Sequence, residues 1–499
     1  MEMDIKKMHE NPPYGIIAIL FLGGFVALLN NTLLNIALPA IMDEFTIKPS
    51  QVQWVTTGYM LVSGVLIPTS AYFIQRYTNR ALFLVAMSLF TLGTTLAVFA
   101  PIFPVLVLAR MTQAAGSAIM MPLLMNVMLI AFPVERRGAA MGLFSLVMFT
   151  APAIGPTLSG WIVEQYSWRV LFALIVPFGV FTLIYAFFKL KNITPNREVK
   201  LDFLSLVLSS VGFGALLFGF STAGDNGWLT FSTYGMIGLG VITLFIFVLR
   251  QSRLEEPMLD FKIYRHPMFA LASAISVVMA MAMFSGMILT PVYVQMIRGI
   301  SPFEAGIIML PGAILMGIMS PIVGRLFDRY GARTMAIIGI TITIVTTFYL
   351  SRLDFHSGYY YIMMLYTVRM MGMSLVMMPV MTNGLNQLPM VSNPHGTAMN
   401  NTLQQVSGAI GTALLLTIMT NRTESTGAKL VADAKAAGEQ VNELEIELQA
   451  TLDGVTFAFY VSMYIAIVAL VLALFIKRVT PPTHTGYEDD DLVNLAEEE

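Results

Sequence analysis

Apolar residues in this chain run in long blocks, broken by short seams of glycine, proline, amide and charged residues. They show little of the alternation that marks a half-buried strand or a surface helix. A bilayer core of about 30 Å takes about 20 apolar residues in helical form. Blocks of that length recur fourteen times, near 14–38, 53–74, 81–100, 104–129, 138–162, 168–188, 203–223, 231–249, 267–296, 304–326, 333–351, 358–386, 396–420 and 455–476. The first is too long for a signal-peptide core and has no small-residue cleavage site after it, so it predicts a retained span. The fold class expected is an all-α integral membrane protein with 14 transmembrane helices. Residues 1–13 form a polar lead-in, and the tail 479–499 is acidic, with Glu488-Asp489-Asp490-Asp491 and a closing Glu497-Glu498-Glu499.

Composition agrees with lipid as part of the solvent. Hydrophobic residues make up 56% of the 499 and charged residues 12%, against about 25% charged in soluble domains; the mean hydropathy is +0.73. A net charge of −2 gives no electrostatic reason to expect a nucleic-acid partner. Without cysteine there is no disulfide, iron–sulfur or thiolate metal site, and the five histidines have no ligand spacing. No Gly-x-x-x-x-Gly-Lys-Ser/Thr loop occurs to hold a nucleotide. No metal, no cofactor and no enzymatic activity are therefore expected.

Charge also orients the chain. With a cytoplasmic N-terminus, the inner seams hold nineteen of the 28 lysines and arginines and the outer seams seven, the other two being Arg110 and Arg369 inside spans. The positive-inside bias thus predicts that both termini are cytoplasmic. The longest polar seam, 421–454, then lies outside; its Ala-, Glu- and Lys-rich stretch reads as helical, a solvated connector more readily than a lid.

The chain repeats itself. Arg110-Met111 followed by Met120-Met121-Pro122 and Asn126 in the fourth block is echoed by Arg369-Met370, Met377-Met378-Pro379 and Asn383 in the twelfth. In the next block of each half, Gly138-Ala139-Ala140-Met141 and Ala153-Ile154-Gly155 are echoed by Gly396-Thr397-Ala398-Met399 and Ala409-Ile410-Gly411. The seams from Ala71 to Arg80 and from Gly324 to Arg333 form a third pair. These echoes keep their order, which predicts two six-helix bundles, 14–190 and 253–478, with two helices inserted at 191–252. Paired bundles around a central cavity can rock and expose it to each side in turn.

Five segments resemble the major facilitator superfamily, and within it the fourteen-span drug:proton antiporters. Gly324 to Arg333 is similar to the superfamily's Gly-x-Leu-x-Asp-Arg-x-Gly-Arg loop, and Arg110-x-x-Gln113 to its fourth-helix motif. Gly155-Pro156-Thr157-Leu158-Ser159-Gly160 resembles the fifth-helix antiporter motif. Leu29 to Pro39 resembles the first-helix signature, and Gly396 to Gly411 that of the thirteenth helix. Asn30 stands where the pattern usually has Asp, and Gln75 and Thr78 replace an Asp and a Gly in the first-half loop, features most similar to the lincomycin-resistance type of multidrug exporter. The resemblance implies a major facilitator fold, a bacterial plasma membrane and proton-coupled efflux of small amphipathic drugs, lincosamide-like ones among them.

The candidate residues follow. Arg110 lies inside a span, where a cation costs about 2.5–3.5 kcal/mol and normally faces a polar interior; with Gln113 one turn on, it is the candidate for proton coupling or substrate orientation. No Asp or Glu falls well inside a span, so Glu164, at the end of the fifth, is the candidate proton carrier. An acid-poor cavity favours neutral, monocationic or lipid-like substrates over dications. Asn30, Asn31, Asn35, Asn126, Asn400, Asn401, Gln404 and Gln405 are candidates for its lining, the pairs four apart sharing helix faces. Gly155, Pro156 and Gly160 would let a neighbouring helix approach closely, and Gly324, Asp328, Arg329, Gly331 and Arg333 form a candidate inner gate. Expected partners are a small-molecule substrate, protons and the lipid bilayer around a monomer. Two other readings stay open: an exporter or flippase of an endogenous lipid or metabolite, and a membrane scaffold or receptor that transports nothing.

Overall fold

The computed structural model describes residues 13–47, 52, 54–132, 136–192, 202–254, 257–389, 392–437 and 442–479. The acidic tail and the N-terminal lead-in fall outside the described residues, apart from Pro13 and Val479. Its long helices, in chain order, are α1 (Tyr14–Phe45), α2 (Trp54–Arg76), α3 (Asn79–Val98), α4 (Phe103–Ala131), α5 (Arg137–Gln165), α6 (Arg169–Lys189), α7 (Phe203–Asn226), α8 (Phe231–Gln251) and α9 (Pro267–Val292, carried on by a π turn over Tyr293–Ile297). A continuous run, Pro302–Leu350, breaks at Gly331 into α10 (302–330) and α11 (332–350). After it come α12 (Tyr359–Leu385), α13 (Asn393–Ala437) and α14 (Glu443–Ala473). These segments correspond one for one to the fourteen apolar blocks, so the protein is a multi-pass, all-α membrane protein.

Local chemistry sets the helix ends. Thr78 accepts a hydrogen bond from the Ala81 amide (3.2 Å), Asp202 from Leu204 (3.2 Å) and Ser301 from Glu304 (3.2 Å), capping α3, α7 and α10. Prolines stand in the first turns of α4, α9 and α10, where no amide partner is needed. Gly331 adopts φ +78°, a conformation open to glycine at little cost, which lets α10 turn sharply into α11. The chain after α14 packs on that turn: Arg478 donates to the Asp328 carbonyl at 2.7 Å.

The first six helices pack on one another, as do the last six, and corresponding pairs make similar crossings. Where α3 crosses α4, a Cβ at Gly93 would stand 2.6 Å from the Ala109 carbonyl oxygen. Where α11 crosses α12, one at Gly339 would stand 2.5 Å from the Gly372 oxygen. Backbones this close leave no room for a side chain. The two groups of six meet along two seams, α5 against α10 and α2 against α13. The extra pair flanks the second seam, because α7 packs on both α2 and α13 while α8 packs on α7.

The start of α1 and the end of α14 lie on one face, called the terminal side; the opposite face is the distal side. At 45 residues α13 is about 67 Å long, about twice a bilayer core. It therefore projects beyond the distal side, where it pairs with the start of α14 through Arg422 and Asp453 (2.7 Å). The seam 421–454, expected as an outer connector, is largely this helical hairpin, residues 438–441 lying outside the description.

Candidate functional site

Arg110 is buried in the middle of the first six helices, 1% exposed. One guanidinium nitrogen donates to Gln113 Oε1 at 2.7 Å and the other to Asn31 Oδ1 at 3.3 Å. Its carbon lies 4.5 Å from the centre of the Tyr59 ring, a cation–π contact. Gln113 passes the network on to Thr94 (2.9 Å), and the Tyr59 hydroxyl meets Ser117. Side chains of α1, α2, α3 and α4 thus converge on one charge. None of these partners is acidic, and Nε of Arg110 has no hydrogen-bond partner among the described residues. A buried cation without a counter-ion is costly, so this group is poised to gain from any acceptor brought to it.

Arg369, fully buried at the corresponding place in α12, is held differently. It donates to the Ala282 carbonyl at 2.5 Å and to Thr347 at 3.2 Å, and its guanidinium fills the space beside Gly286, where a Cβ would stand 2.6 Å from Cζ. Among the described contacts, a backbone carbonyl and a threonine hold it, whereas adaptable amide side chains hold Arg110. The two threonines are repeat mates, Thr94 on α3 and Thr347 on α11.

Of the predicted amides, Asn30, Asn126, Asn400 and Asn401 are buried. Each has a polar side-chain atom without a hydrogen-bond partner among the described residues. Leaving such an atom unmatched costs about 1–3 kcal/mol, which marks these positions as places for a polar group of a ligand or for water. Gln404 is half-buried and Gln405 exposed. The side chains of Asn35 and Pro156 lie outside those described. Gly155 packs on Thr32 of α1, whose Cβ would be 2.8 Å from an added methyl, and Gly160 faces Phe303 of α10 at 3.7 Å. Glu164 is exposed at the distal end of α5, away from Arg110 and its partners.

At the terminal side, Gly324 is buried, Asp328 is half-buried, and Arg329 and Arg333 are exposed. Arg329 lies over the Tyr330 ring at 5.2 Å. The contact that ties the two groups of helices together here involves residues not among the candidates: the Gln75 amide of α2 lies 2.8 Å from Nε2 of His395 on α13. Around it, Leu385, Leu388, Ala398 and Met399 join the apolar cluster of the first six helices. On the distal side the corresponding cluster, built on Tyr293, Ile308, Ile362 and Phe459, draws its described residues from the last six helices. In this structure the halves share their apolar core at the terminal side.

Gln75 lies in one repeated segment and His395 just before another, but nothing in their spacing links them. Tyr59 and Gly286 carried no signal at all.

A model of the Major Facilitator Superfamily matches residues 20–412. A Bacillus subtilis protein described as an uncharacterized MFS-type transporter, YhcA, is 49% identical over 84% of this chain and 79% of its own length. The lincomycin resistance protein LmrB of Listeria innocua is 41% identical over 96% of this chain and 100% of its own. Among solved structures, the human organic anion transporter MFSD10 superposes with a TM-score of 0.61 over 91% of this chain and 99% of its own, at 12% identity, a likeness of fold.

Proposed function

The chain belongs to the major facilitator superfamily and is a transporter, and from that premise we propose that it expels small amphipathic drugs from a bacterial cell in exchange for protons. The terminal side is cytoplasmic in this reading, which the distribution of lysine and arginine supports. The observation that carries it is the Arg110 cluster: a buried cation served, among the described residues, by neutral, adaptable groups from α1, α2 and α4. Such a group can exchange Asn31 or Gln113 for an acceptor on a substrate. The unmatched amides Asn30, Asn126, Asn400 and Asn401 add polar sites without demanding one substrate shape.

Relatives named for lincomycin resistance and for tetracenomycin C export support drugs as the cargo, lincosamides among them. The driving force suffices: about 1.4 kcal/mol per pH unit and about 2.3 kcal/mol per charge per 100 mV. Gly155, Pro156 and Gly160 take the role of close-packing positions on α5, and Asp328, Arg329 and Arg333 that of a gate flank beside Gly331. Glu164, exposed at one end of α5, is left as an acid of the distal mouth.

The test is drug accumulation in a pump-deficient host, with and without an uncoupler. Expression should lower accumulation of at least one amphipathic drug, and the uncoupler should restore it. Unchanged accumulation across a broad panel would remove the reading. Altered lipid distribution between leaflets, with drugs unaffected, would favour lipid export in its place.

A further inference from the structure

Exchange for protons needs a group that binds and releases one, and no carboxylate lies in the interior of a described span. We propose that His395 is that coupling residue, and that its protonation opens the terminal side; the inference rests on the antiport reading above. Three elements meet at its ring. Nδ1 accepts the backbone N–H of Asp260, from the segment before α9, at 3.3 Å. Nε2 lies 2.8 Å from the Gln75 side-chain amide at the end of α2, and the ring itself sits in the first turn of α13.

The geometry selects a protonation state. Because Nδ1 accepts from an N–H, the neutral ring carries its proton on Nε2 and donates it to Gln75, whose amide turns its oxygen toward the ring. The neutral ring therefore satisfies both neighbours and clips α2 of the first half to α13 of the second. A second proton enters at Nδ1, the one ring nitrogen without a hydrogen. It sets N–H against N–H, so the Asp260 contact turns from attractive to repulsive. Histidine's ordinary value, about 6.5, lies close to working pH, so a modest change in proton supply moves the group between these states.

Among the described residues, the charges on the segments that meet the ring are these. Arg76 neighbours Gln75 on α2, while Asp260 and Lys262 belong to the segment before α9, followed by Arg265 and His266 at the start of that helix. The Asp260 carboxylate is engaged with the Lys262 amide at 2.8 Å. Near this point α12 and α13 contribute no charged residue of their own. Gln75 is the departure from the acidic residue of the family pattern. A carboxylate there would hold the imidazolium in place, whereas a neutral amide lets the charged ring leave.

The direction agrees with antiport. A proton arriving from the distal side charges His395 and loosens the terminal side. Loss of that proton to the terminal compartment restores the neutral clip. One proton crosses for each opening, with no bond made or broken other than to Nδ1 and its water or side-chain donor.

The absence of cysteine allows a direct test. Spin labels at Tyr77→Cys and Thr334→Cys, both exposed positions on the terminal side of the two halves, report its width in nanodiscs between pH 8 and pH 5. The parent should shift from a short to a long distance with a midpoint in the histidine range. His395→Gln, which can accept from Asp260 and donate to Gln75 but cannot charge, should stay short throughout. Gln75→Leu, lacking the α2 partner, should be long even at pH 8. A His395→Gln protein that keeps the parent's pH response overturns the proposal, as does a Gln75→Leu protein as closed as the parent at pH 8. The antiport reading stands or falls separately, on uncoupler-sensitive drug accumulation by the parent.

Discussion

Replacing Gly286 by alanine tests the claim that the two buried arginines have different jobs. An added methyl would overlap Nη1 of Arg369 outright and stand 2.6 Å from its Cζ and 3.0 Å from its Nη2, against an ordinary contact of 3.4–4 Å. The guanidinium must leave this position, which breaks its bond to the Ala282 carbonyl (2.5 Å) and stretches that to Thr347 (3.2 Å). Hydrogen bonds from a charged donor are worth about 1.5–3 kcal/mol each, so about 3–6 kcal/mol is at stake. Alanine returns about 1 kcal/mol through helix propensity, leaving a net loss of about 2–5 kcal/mol. Thermal melting of purified protein, followed by the fluorescence of the four tryptophans, should show a lower midpoint for Gly286→Ala. Combining it with Arg369→Met should add little, since the clash partner is gone. Drug efflux per folded molecule should be retained. A Gly286→Ala protein that melts at or above the parent would refute the reasoning.

Arg110→Lys loses the fork that reaches Gln113 and Asn31 together. Efflux should fall by about tenfold or more, the equivalent of about 1.4 kcal/mol, with melting little changed; normal efflux would remove Arg110 from the site. At the α3–α4 crossing, a Cβ on Gly116 would meet the Ala86 carbonyl and lie 2.8 Å from the Phe90 nitrogen. Gly116→Leu should therefore yield little folded protein by size-exclusion chromatography, whereas Gly160→Ala, with 3.7 Å to its nearest neighbour, should fold normally. The paired Arg250 guanidinium holds the Asp202 carboxyl down to about 2. Its folded value lies below its ordinary one, so the stabilisation is complete above about pH 4 and is lost as pH falls through about 2. Hydrogen-exchange protection of α7 and α8, taken relative to the intrinsic rate at each pH, should be the same at pH 7 and pH 5 in the parent and lower at pH 7 in Asp202→Asn.

Span count and fold were legible because the physics behind them is coarse. Lipid demands about 20 apolar residues per crossing whatever their order, and the ordered echoes around Arg110 and Arg369 are hard to produce otherwise. The candidate site was legible only in part. A lone arginine in an apolar block advertises itself, and Gln113 follows by helical spacing. Asn31 and Tyr59, however, reach Arg110 from α1 and α2, and no sequence period relates one helix's face to another's. For the same reason Arg369 looked like a copy of Arg110, although Gly286 and the Ala282 carbonyl give it a backbone setting. Gln75 read only as a departure from an acidic family pattern, since its partner His395 lies 320 residues away.

Central to the account is that the two groups of helices open one face of the molecule as they close the other. Two label pairs measured in the same preparation address this: Tyr77→Cys with Thr334→Cys on the terminal side, and Phe99→Cys with Tyr360→Cys, both strongly exposed, on the distal side. Across a titration with a transported drug and across pH, the two distances should change in opposite senses, one lengthening as the other shortens. Two distances that stay constant while drug is transported, or that lengthen together, would contradict it.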